Sequence, residues 1–133
     1  MNQRLLQLAP DLTKTAPRSP QAPLGHYGVL AARILDKCRA ELVGKAGDYH
    51  YNCPLDQVFF RFTKIDPDKL KELVATGASD EEVAQWIGQN SEVKDRSRIA
   101  AWEWLSCLNP INLLLEVDDW IHKRRAGSTP GSL

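Results

Sequence analysis

No apolar run in this chain approaches the roughly 20 residues that cross a bilayer. The earliest candidate, Leu5, Leu6, Leu8 and Ala9, is interrupted by Gln7 and stopped by Pro10. Neither a membrane span nor a secretory leader is expected. Charge of one sign is missing too: 17 basic residues balance 17 acidic ones. The excess is local, basic over residues 1–50 and acidic over 66–92, where seven acids face two bases. That asymmetry falls short of the basic footprint of a dedicated nucleic-acid binder, so nucleic acid is disfavoured as a partner. Cysteine is scarce and odd in number, with Cys38, Cys53 and Cys107. A disulfide framework is not expected, and the thiols read as reduced in a cytoplasmic protein.

Period-two alternation is absent, and no Asn-Gly or Asp-Gly pair joins two apolar runs. Strands therefore drop out. So do several chemistries: there is no phosphate-cradling glycine loop, no G-x-S-x-G and no H-E-x-x-H, and no internal repeat.

What remains is helical. Leu30, Ile34, Cys38 and Leu42 recur every four residues, which predicts a helix from about Val29 to Val43 closed by Gly44. Pro54 reads as the first residue of a second helix carrying Leu55, Val58, Phe59, Phe62 and Ile65, with Cys53 as its N-cap. Asp66-Pro67 opens a third helix that ends at Gly77, and Ser79 with Glu82 forms a capping box for a fourth. Two further helices are expected over about Val93–Leu108 and from Asn109-Pro110 to Arg125. Trp86, Trp102 and Trp120 lie on apolar faces, whereas Phe60 and Trp104 fall off the main stripes and mark either a partner patch or a wider buried face. The predicted fold is all-α, an irregular or orthogonal bundle of five to six helices with an extended Pro-rich N-terminal arm. The arm covers residues 1–24, where Pro10, Pro17, Pro20 and Pro23 oppose a helix. It is either a floppy tail or a strap pinned by Leu5, Leu8, Leu12 and Leu24. The helical domain covers 25–126, and 127–133 has the composition of a disordered tail.

Reactive side chains crowd one stretch, residues 47–57. A thiol at an N-cap faces unpaired N–H groups and the positive end of a helix dipole, which favours thiolate. His50, three residues upstream, could serve as its base. The simpler reading makes Cys53 a structural cap, with Asp56 reaching back to the cap backbone. His50 and Cys53, with Asp48 in reserve, lack the second ligand pair that a zinc site needs, so no metal or other cofactor is expected. Arg33, Lys37 and Arg39 are the second candidate. They form either a solvated face neutralised by Asp36 and Glu41, or an anion pocket completed by Tyr49, His50, Asn52 and Asp56.

The strings PDLTKTAPRSP (10–20), RILDKCRAEL (33–42) and YHYNCPLDQVFF (49–60) resemble a family of small bacterial proteins, the domain of unknown function DUF5069. Its pattern of an arm D-L-T-K-x-x-P-R-S-P, a helix L-D-K-x-R-A and a segment N-C-P-L-D is present at Asp11–Pro20, Leu35–Ala40 and Asn52–Asp56. The chain departs from it at Gly25-His26-Tyr27, where the pattern has two glycines before the tyrosine. The resemblance implies a bacterial cytoplasmic protein and an ordered arm. It implies no activity and carries over no catalytic residue.

The sequence thus leads to a non-enzymatic binding module for a protein or a small anionic ligand. The alternatives are an enzyme using Cys53 with His50, and a nucleic-acid accessory protein using Lys14, Arg18, Arg33, Lys37 and Arg39.

Overall fold

The computed structural model describes residues 2–25, 27, 30–95, 97–99 and 101–102. It is an all-α, irregular bundle: α1 (Gln3–Leu8), α2 (Ala31–Leu42), α3 (Asp56–Thr63), α4 (Pro67–Ala75) and α5 (Asp80–Asn90). Residues 97–99 and 101–102 are also helical. Among the described residues the sole β feature is an isolated bridge between Leu24 and Tyr27. The expected sixth helix, Cys107, Trp104, Trp120, His26, His122 and the 127–133 tail lie outside the described residues.

Local chemistry explains most of the boundaries. Asp66 caps α4 by accepting from the Asp68 N–H at 2.9 Å, with Pro67 in the first turn where no N–H is needed. Gly77 follows α4 at φ +83°. The capping box of α5 is complete, the Glu82 N–H donating to Ser79 and the Ser79 N–H to Glu82. Two boundaries differ from expectation. Residues 3–8 are helical rather than extended: Asn2 caps them, Leu5 enters the core, and Ala9 turns extended ahead of Pro10. The second expected helix starts at Asp56, two residues after Pro54, and Leu55 rather than Cys53 is its N-cap.

The core centres on α2, whose residues 31–40 are all buried. The aliphatic stripe of α2 faces Leu70, Val74, Val83 and Ile87 of α4 and α5 within one cluster. Phe59 is fully buried and meets Tyr27 and Phe60 edge to face, at 5.6 and 5.7 Å. Phe60 is itself buried against Tyr51 at 6.0 Å, so the off-stripe phenylalanine belongs to a wider core. Trp102 stacks on Phe62 at 4.5 Å and 8°, seating the helical residues after 95 on α3. Residues 9–24 form neither helix nor strand, but Leu12, Pro17, Pro20 and Leu24 are buried. The backbone ties this segment down through Leu12 N–H to Lys45 C=O (2.8 Å) and Leu30 N–H to Pro20 C=O (2.7 Å).

Candidate functional site

Helix α2 carries its charges inward. A helix with a polar face normally turns that face to water, but here the arm, the 45–55 loop, α3 and the start of α5 cover it. Burying a charge is tolerable only when a counter-charge and hydrogen bonds replace the lost water. Each buried charge on α2 meets this condition differently.

Asp36 receives the arm. Its carboxylate accepts from the Arg18 backbone N–H at 2.8 Å and from the Arg18 guanidinium at 3.0 to 3.2 Å. Arg18 continues to Asp80 at the first position of α5, 2.8 Å away. Arg39 reaches the same carboxylate at 2.7 Å and donates to the Ala78 carbonyl at 2.8 Å. Burial alone would raise the Asp80 pKa, but the hydrogen bonds from Arg18 and Arg39 outweigh it and hold the group below the usual carboxylate range.

Lys37 points to the other side. Its ammonium donates to Asp56 at 2.6 Å and to the Cys53 sulfur at 3.5 Å. The second oxygen of Asp56 accepts from the Asn52 N–H at 3.1 Å. Asn52 adopts φ +59°, which bends the 52–55 turn back toward α2. This turn displaces the start of α3: Asp56 is held at the first helical position by Asn52 and Lys37, so the Cys53 sulfur faces an ammonium rather than the first-turn amides. Arg33 lies over the Tyr49 ring at 5.7 Å. Glu41 accepts from Lys71 at 2.9 Å and from the Tyr51 N–H at 3.1 Å. Burial would raise its pKa, yet these contacts keep it lowered.

The expected ligand residues therefore divide. Lys37, Asp56 and Cys53 converge, and Arg33 and Tyr49 form a neighbouring contact. Arg39 leaves that side of α2 for α5. His50 and Asn52 are exposed at the loop surface, and no hydrogen bond joins His50 to Cys53. Burial pushes the Cys38 thiol up to about 12. Among the described residues no three His, Cys, Asp or Glu side chains gather as metal ligands.

Sequence reasoning missed an open cleft of about 590 Å³ lined by Arg4, Leu8, Arg18, Asp36, Arg39, Ser79, Asp80 and Glu81. Leu6 and Leu8 on α1 are the exposed large hydrophobic residues of the described chain, 47% and 36% accessible. The signal available beforehand was the acidic run at 80–82, which a helix N-terminus also explains.

The three motif strings are one another's partners in space. Arg18 of the arm string grips Asp36 of the α2 string, and Lys37 of the α2 string grips Asp56 of the third. No curated protein matches the chain by sequence. A family model described as a domain of unknown function (DUF5069) matches residues 14–110, most of the chain, with the second and third strings whole and the first from Lys14 onward, and the protein belongs to that family.

Proposed function

We propose that this protein is a non-enzymatic binding module that docks a protein partner on the face shared by α1, the arm and the start of α5. The observation that carries this reading is the cleft that the exposed Leu8 borders beside Arg4, Arg18, Asp80 and Glu81, where an accessible apolar side chain stands among charged ones. On the rim Asp80 is engaged by Arg18 and Arg39, and the exposed Glu81 presents its carboxylate to a partner. It lies in the stretch 66–92, where acids outnumber bases seven to two. The matching occupant is a protein segment with an apolar anchor flanked by lysine or arginine.

A small anion fits less well. It would have to compete with Asp36, Asp80 and Asp56 for Arg18, Arg39 and Lys37, which already bind them. Catalysis by Cys53 with His50 as base gains little support from an exposed imidazole that makes no hydrogen bond to the thiol. A nucleic-acid role loses the cations inside the fold: Arg33, Lys37 and Arg39 are buried. A bacterial cytoplasm as the site of action is supported by the family resemblance and by the free thiols of Cys38 and Cys53.

The test is site-specific photo-crosslinking in cell extract. A photoreactive residue is placed at Leu8, with the exposed Glu72 of α4 as the control position. The expected result is a discrete adduct with another protein at position 8 only, abolished by Glu81→Arg in the same chain, which reverses a charge on the cleft's rim. Absence of a position-8-specific adduct with another protein, a self-adduct included, overturns the proposal.

A further inference from the structure

Cys53 and Lys37 stand apart from the docking face and bring a different chemistry together. Cys53 is half-buried, whereas Cys38 is sealed in the core. The neighbour of the Cys53 sulfur is a primary amine 3.5 Å away, on a side chain only 3% exposed. A carboxylate, Asp56, sits 2.6 Å from the same nitrogen. Cys38 is fully buried, and no disulfide joins the two thiols. An oxidised Cys53 therefore has a nitrogen nucleophile at hand.

We infer that Cys53 and Lys37 form a modification site at which a peroxide-class oxidant drives an S–N cross-link between α2 and the 52–55 turn. In the first step the thiol attacks the peroxide. The O–O bond breaks, the sulfur loses two electrons to become a sulfenic acid, and the other oxygen leaves as water. In the second step the Lys37 ammonium passes a proton to Asp56 and its lone pair attacks the sulfur. The S–O bond breaks as the S–N bond forms. The departing hydroxide takes a second proton from nitrogen and leaves as water, while Asp56 keeps the first. No charge is stranded in the interior, because cation and anion are neutralised together. No second oxidant is needed. The protein loses two hydrogens in total.

The geometry favours this outcome over further oxidation. An amine held at contact distance reacts as an intramolecular partner, with the entropy of encounter already spent. The product is a covalent staple closing the loop between α2 and α3, reversed by thiol reductants that attack the sulfur.

The experiment treats the native full-length protein with graded hydrogen peroxide, quenches with catalase at neutral pH and maps peptides by tandem mass spectrometry. The expected species is a Lys37–Cys53 linked peptide two hydrogens lighter than its parts, removed by dithiothreitol, with Cys38 unmodified. Lys37→Arg keeps the partner charge for Asp56 but supplies a poor nucleophile. It should lose the linked peptide and leave Cys53 as sulfenic acid that dimedone traps. Sulfinic acid on Cys53 with a free Lys37 in the wild-type protein, or Cys53 still reduced when glutathione added to the same tube has been fully oxidised, overturns the inference. Circular dichroism on the variant separates a folding defect from a chemical one, and the wild-type map decides the matter without any variant.

Discussion

Lys37 on α2 and Asp56 on α3 are locked 2.6 Å apart, with side chains 3% and 1% exposed. A pair so far from water costs desolvation on both sides, so its removal one partner at a time is expected to be severe. Lys37→Met should destabilise by about 3–5 kcal/mol, because it leaves a carboxylate buried alone. The double variant Lys37→Met, Asp56→Leu should recover most of that loss. Urea midpoints of the three proteins check this, and a double variant no better than Lys37→Met would refute it.

The arm should loosen as a unit when its clamp is removed. Arg18 supplies the contacts to Asp36 and Asp80, so Arg18→Ala leaves buried Asp36 without its counter-charge. The expected stability loss is about 1–3 kcal/mol. Hydrogen exchange reads it locally: the Leu12 and Leu30 amides, bonded to Lys45 and Pro20 carbonyls, should lose protection earlier than the α4 amides.

Acid should weaken the same region. Asp80 and Glu41 both have folded pKa values below their ordinary range. A depressed carboxylate contributes its stability above the unfolded value and loses it as pH falls through the folded one. Stability should therefore decline as pH falls below the ordinary carboxylate values near about 4. Asp80→Asn should flatten part of that decline. The effect at this site is modest because its side chain is 45% exposed. Chemical denaturation at stepped pH provides the slope, and an unchanged slope in the variant argues against the clamp.

Gly77 positions α1. Its φ of +83° suits glycine, and an added Cβ would lie 2.5 Å from the Asn2 side-chain oxygen and 3.0 Å from the Arg4 Cβ. Gly77→Ala should cost about 1–2 kcal/mol for the left-handed backbone alone, and it should also displace the N-cap of α1. The Leu5 amide, which donates to Asn2 at 3.1 Å, is the reporter. Position-8 crosslinking should fall with it.

Helix caps were the most legible part of the sequence. Asp66-Pro67 and the Ser79–Glu82 box are decided by residues within four positions of each other, so their outcome needs no knowledge of the rest of the chain. The surroundings of α2 were not legible in this way. Periodicity identifies which stripe is apolar, but Arg33, Lys37 and Arg39 read as a solvated face until the arm and α3 are seen to cover them. Arg18 finds Asp80 62 residues away, a distance at which spacing carries no information. Cys53 was ambiguous for a local reason: Pro54 suits a helix start and a turn equally, and Lys37 and Asn52 settle it by holding Asp56.

The Arg18–Asp80 bridge also imposes a timetable on synthesis. The arm leaves the ribosome early, whereas one of its two receptors is made 62 residues later. Until Asp80 emerges, Arg18 has only Asp36 to hold. The proline spacing that keeps residues 9–24 from collapsing into a helix keeps the strap extended during that interval. Translation thus ends its work on this half of the molecule by fastening its beginning.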